Sequence, residues 1–155
     1  MSVQNTARIQ QQNDRTISVI LGNPPYNAHQ ENFNHRNSNR AYNGIDKAIT
    51  ESYIREGTAQ NQIVVYDMYA RFFRWASDRL GKNGLVAFIT NRSFINGKTF
   101  DGFRKTVSQE FDHVYIVDLG GDIRSGDTTG NVFDIKTGVA IMFLVKLQRD
   151  EIKQK

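Results

Sequence analysis

The chain has 155 residues, of which 39% are hydrophobic and 23% charged, with no cysteine and a net charge of +4. That is enough chain for one globular domain with its own core. It excludes disulfides and cysteine-ligated zinc, and it fits a cytoplasmic protein with no membrane partner, since no apolar run nears the roughly 18–20 residues of a membrane span.

Residues 1–16 are polar, rich in Gln and Asn, and read as a tail or a frayed helix. Ile17 to Leu21 is a short β-branched run stopped by Gly22, Pro24 and Pro25, which predicts a strand with a sharp exit. Residues 27–62 form a polar insert in which Ile45, Ile49 and Tyr53 recur at helical spacing. Val64 to Leu80 predicts a long helix with Met68, Phe72, Trp75, Ala76 and Leu80 on its core face, ended by the turn Gly81-Lys82-Asn83-Gly84. Leu85 to Thr90 predicts a buried strand, and Thr99 to Phe111 an amphipathic helix through Phe100, Phe103, Val107 and Phe111. Val114 to Leu119 and Val139 to Val145 predict two more strands, separated by a glycine- and aspartate-rich loop over Gly120 to Gly130 and followed by a charged tail at 148–155. This alternation predicts an α/β domain over 17–147 with a mainly parallel sheet. The last strand, reached without a crossover helix, is free to run antiparallel beside the third.

Asn23-Pro24-Pro25-Tyr26 is the stretch with chemical content. The exocyclic amino nitrogen of a nucleobase is a poor nucleophile because its lone pair is conjugated into the ring. A site acting on it must accept both amino hydrogens and must grip a base that has left the helix. The Asn23 side-chain oxygen is one acceptor. The Pro24 carbonyl is a second, aimed by the locked φ angles of the prolines. Tyr26 offers a face for stacking, which offsets part of the cost of extrusion. In an open α/β sheet such a turn at the end of a strand stands where ligands bind. An ordinary strand-ending turn has the same composition.

By this motif the chain resembles the adenine-specific amino-methyltransferases of DNA found in restriction-modification systems, over roughly Ser18 to Lys146. The helix from Tyr66 to Leu80 and the run Gly84 to Thr90 are similar to the helix and strand that follow their catalytic motif. Asn131-Val132-Phe133 with Gly138 to Lys146 is similar to their later motif. The resemblance implies a Rossmann-like methyltransferase sheet, with Asn23, Pro24, Pro25 and Tyr26 catalytic and Phe133 stacking on the adenine opposite Tyr26. Phe133 also reads as a simple core residue. Arg74 to Arg79, Asn91-Arg92-Ser93-Phe94-Ile95 and the Asn-rich insert are similar to the methylase segment of large single-chain restriction enzymes that also carry a helicase.

The resemblance further implies S-adenosylmethionine as methyl donor, but the glycine turn and acidic strand end that hold it lie upstream of the catalytic motif in that family. About twenty residues precede the motif here and show neither. The expectation is the second half of a methyltransferase sheet, completed by a missing N-terminal half or by a homo-oligomer. The alternative is a truncated, non-catalytic fragment that binds nucleic acid or a partner and dimerises through an open sheet edge. Arg36, Arg40, Arg92 and Arg124 are the candidate contacts to DNA phosphates. His29 and His35 lack a third ligand, and Asp118, Asp122 and Asp127 read as a polar loop, so no metal is expected.

Overall fold

Four β-branched runs become one sheet in the computed structural model, which describes residues 3–25, 41–121 and 137–148. The strands are β1 (Ile17–Gly22), β2 (Leu80–Asn91), β3 (His113–Asp118) and β4 (Val139–Lys146), in the order β1-β2-β4-β3. β1 runs parallel to β2, and β4 runs antiparallel to both β2 and β3. The last strand is therefore antiparallel, as its short connection requires, but it inserts between the second and third strands. That insertion leaves one parallel pair out of three, so the sheet is mixed and not mainly parallel.

The polar N-terminus folds into α1 (Val3–Asn13), held by the Arg79 guanidinium donating to the carbonyls of Gln12 and Asn13. The second part of the polar insert is helical: α2 (Asn43–Ile49) widens into a π-helical turn, Thr50–Ile54. The long predicted helix is broken. A 3₁₀ turn, Ile63–Tyr66, stops at Asp67, whose extended backbone (ψ 148°) restarts the chain as α3 (Met68–Arg79). No turn separates α3 from β2. Gly81 to Gly84 lie within the strand, where the register with β1 slips between Ile17↔Leu80 and Val19↔Leu85. Two further 3₁₀ turns, Arg92–Phe94 and Lys98–Phe100, lead into α4 (Asp101–Glu110).

Alternation along paired strands gives the sheet two faces. One face (Ile20, Val86, Phe88, Met142, Leu144) is buried under Phe73 and Ala76 of α3 and Phe103 and Val107 of α4. Phe73 is the hub of this core, with ring centroids 5.0 Å from Phe88 and 5.4 Å from Phe103. Arg74, itself buried, ties the two helices together by donating to Glu110 (2.8 and 3.0 Å) and to Asp78 (2.6 and 3.1 Å). The α3 core face is thus Tyr69, Ala70, Phe73 and Ala76. Trp75 and Phe72, expected in the core, are 46% and 37% exposed. Ala76 and Leu80 are buried as expected, but both sides of the helix carry aromatics, and of these the spacing pattern picked the outer pair.

The other face of the sheet is equally apolar but open. Val19 and Leu21 of β1 are 56% and 69% exposed, and Tyr115 and Val117 of β3 are 58% and 46% exposed. Between them Leu85, Ile89, Ile141, Phe143 and Val145 are only half-buried. Among the described residues β1 pairs with β2 alone, so its outer edge is open as well.

The start of α4 is anchored by Asp101, whose Oδ2 accepts from the Thr58 N–H at 2.8 Å and from its hydroxyl at 2.5 Å. These bonds hold the Asp101 carboxyl below its ordinary pKa. A carboxyl with a folded-state pKa below its unfolded one contributes stability that is complete above the unfolded value and is lost as pH falls through the folded one. Asp101→Asn is expected to lower Tm most at neutral pH, with the gap to wild type closing below about pH 4. Thermal melts of both proteins from pH 7 to pH 3 check this; a gap that stays constant would show that the charge plays no part.

Candidate functional site

The strand directions bring four chain ends to one rim. β1 and β2 exit there, β3 exits there, and β4 enters there because it runs the opposite way. From β1 comes Asn23-Pro24-Pro25. Pro24 is buried while Asn23 and Pro25 are exposed, so the turn is pinned by one proline ring and presents Asn23 to solvent. From β2 come Asn91 and Arg92. The Asn91 Oδ1 accepts from the Ser93 N–H (2.7 Å) and hydroxyl (2.6 Å), which caps the 3₁₀ turn that drops Phe94 into the core.

β3 ends at Asp118, and Gly120 and Gly121 follow in the left-handed region at φ 67° and 78°, which favours glycine. The neck is closed by the Leu119 N–H donating to the Val139 carbonyl (2.9 Å) and the Val139 N–H to the Gly120 carbonyl (3.1 Å). The chain thus leaves β3 and enters β4 on the rim that carries Asn23. Tyr26, Arg36, Arg40, Arg124 and Phe133 lie outside the described residues, as do His29, His35, Asp122 and Asp127.

Arg92 is within them, and its guanidinium is ion-paired with Asp118. Arg104, another basic residue of this side, donates to the carbonyls of Phe94 and Gly97, both at 2.9 Å. The Arg92–Asp118 pair escaped the sequence reading. Its only signal was a pair of opposite charges at two strand ends, 26 residues apart, whose neighbourhood depends on where β4 goes.

Gly120-Gly121 follows β3 at the opposite edge of the sheet from Asn23, about 14 Å away at three strand spacings. Among the described residues no His, Asp and Glu cluster suited to a metal is present, and no helix is long and apolar enough to cross a membrane.

The chain is an α/β domain with an Asn-Pro-Pro turn on the carboxyl rim of its sheet, and its residues 2–124 match the family model described as the Eco57I restriction-modification methylase. The chain belongs to that family. No curated protein matches it. Among solved structures it is similar to the DrdV–DNA complex (48% identity, TM-score 0.82) over 94% of this chain and 15% of that one. It is also similar to the ATP-dependent Type ISP restriction-modification enzyme LlaBIII bound to DNA (40%, TM-score 0.84), over 94% of this chain and 10% of that one. A nuclease-deletion mutant of the Type ISP enzyme LlaGI with a DNA substrate mimic matches at 37% identity and TM-score 0.85, over 95% and 15%. The chain therefore spans only 10–15% of the length of these enzymes.

Proposed function

We propose that this chain is the target-base half of a DNA methyltransferase in a restriction-modification system, the whole enzyme moving a methyl group from S-adenosylmethionine to the exocyclic amino group of adenine. The observation that carries this reading is the exposed Asn23 on a turn pinned by the buried Pro24, at the end of β1, in a chain of a methylase family. In this reading Asn23 Oδ1 and the Pro24 carbonyl each accept one amino hydrogen, so that the nitrogen lone pair turns out of conjugation. Tyr26 and Phe133 stack on the two faces of the extruded base. Arg36, Arg40 and Arg124 meet DNA phosphates, which positions the duplex without reading its sequence. No general base is called for, because the amine loses its proton to solvent after transfer.

The donor belongs to another part of the enzyme, and the open face and edge of the sheet are where that part docks. Covering Val19, Leu21, Tyr115 and Val117 would contribute on the order of 1.5–3 kcal/mol for each large side chain removed from water. A strand added beside β1 and helices laid on the open face would complete a Rossmann-like sheet.

Calorimetric titration of the 155-residue chain with S-adenosylmethionine tests the division of labour. No saturable heat is expected; micromolar binding would mean that this chain holds the donor itself. Nucleoside analysis of DNA treated with the complete enzyme tests the target: N6-methyladenine is expected, and N4-methylcytosine would overturn the choice of base. The open edge also favours a second reading, a non-catalytic fragment that pairs edge to edge. Dimerisation in sedimentation, with no methylation by any assembly that contains the chain, would select it.

A further inference from the structure

One ion pair on the rim has no role in the chemistry above. Arg92 is the first residue after β2 and Asp118 the last of β3, with β4 between them, so the pair bridges two strand spacings, about 9.5 Å. The Arg92 guanidinium donates from Nε to Asp118 Oδ1 at 2.9 Å and from Nη2 to Oδ2. Asp118 Oδ1 also accepts the Gly120 N–H at 3.0 Å, which fixes the first glycine of the neck. The backbone N–H of Arg92 donates to the Gly138 carbonyl at 3.0 Å. One residue therefore grips the exit of β3 with its side chain and the entry of β4 with its main chain.

A phosphate contact fits this geometry poorly. The Arg92 side chain is 19% exposed, and both oxygens of its carboxylate partner are engaged. Turning the guanidinium toward DNA would leave the Asp118 charge facing the same phosphates, and like charges in proximity repel.

We infer that Arg92 and Asp118 form a positioning clamp: together they fix the exit of β3 (Asp118 to Gly120) and the entry of β4 (Gly138 and Val139) against the β2 end of the rim that also carries the Asn23-Pro24-Pro25 turn. Both are positioning residues, acting on how the base is presented and not on how tightly DNA is held. This rests on the methyltransferase reading, which puts a base-stacking residue, Phe133, in the stretch of sequence between these two points.

Two measurements keep the clamp and that reading apart. Amide hydrogen exchange on the 155-residue chain reports the neck directly. Arg92→Ala and Asp118→Asn should each speed exchange at Leu119 and Val139 roughly five- to tenfold, the scale of a lost bidentate and partly buried pair. The double variant should do no more than either single one, and Arg92→Asp with Asp118→Arg should restore protection. Unchanged exchange at the neck, with the circular dichroism of wild type, would overturn the clamp. In the complete enzyme both single variants should lower kcat alike, with KM for DNA and its salt dependence unmoved. If Arg92→Ala raises KM for DNA while Asp118→Asn does not, Arg92 is a phosphate contact and the inference falls. If wild type methylates nothing, the functional reading fails and the exchange data alone decide the clamp.

Discussion

Replacing Asn23 with alanine is expected to lower single-turnover methylation by the complete enzyme about 10²- to 10³-fold, the usual effect of removing one preorganised hydrogen-bonding partner of the reacting group. Asn23 is exposed and lies beyond the end of β1, so the fold should not change. DNA binding should persist, because phosphate contacts dominate affinity. The effect should thus appear in kcat with KM nearly constant, as for an interaction made only in the transition state. A variant that keeps a tenth or more of the wild-type rate would remove Asn23 from the chemistry. Asn23→Asp makes a sharper comparison. It retains an acceptor oxygen at the same place, so it should recover part of the rate that alanine loses.

The largest stability effect belongs to Gly102. It sits in the first turn of α4, pressed against the end of the π-helical turn. A Cβ there would stand 1.9 Å from the Tyr53 carbonyl oxygen and 2.4 Å from the Gly57 nitrogen. Two opposing effects meet in Gly102→Ala. Alanine gains up to about 1 kcal/mol of helix propensity over glycine. Overpacking costs typically 1–3 kcal/mol, and the upper end applies here because the obstacle is backbone and not a side chain that can swing away. The clash wins, with a net loss of about 2 kcal/mol and a Tm lower by roughly 4–8 °C for a chain of this size. A melt in which the variant is more stable than wild type would show that α4 can slide off Tyr53 at little cost.

What the sequence made legible, and what it hid, follows from how local each cause is. β1, β3 and β4 could be placed to within a residue because β-branched runs depend on neighbours in the chain, whereas β2 begins five residues early, through the glycines read as a turn. The α4 stripe of Phe103 and Val107 was legible for the same reason, since a single face of the helix is apolar. α3 was misread because two stripes are apolar, and choosing between them requires knowing what lies on each side. Strand order was invisible in principle: Val139–Lys146 carries nothing that says whether it will pair with one neighbour or wedge between two. Asn23-Pro24-Pro25 could be proposed as a site from the sequence because its parts are contiguous. Arg92 and Asp118 were not, because only the entry of β4 between their strands makes them partners.

The strand order also fixes when the fold can form during synthesis. β3 has β4 as its sole strand partner among the described residues, and β4 is also the second partner of β2. A ribosome making about 5–20 residues per second exposes β2 and β3 before the strand that joins them exists. For that interval β3, with Tyr115 and Val117 on one side and Val114 and Ile116 on the other, is an unpaired apolar ribbon. β3 can join the sheet only once Val139 to Lys146 has cleared the exit tunnel. A ribosome stalled before that point therefore holds a nascent chain with two unfinished strand edges, a substrate for chaperones and proteases and not a shorter version of the same domain.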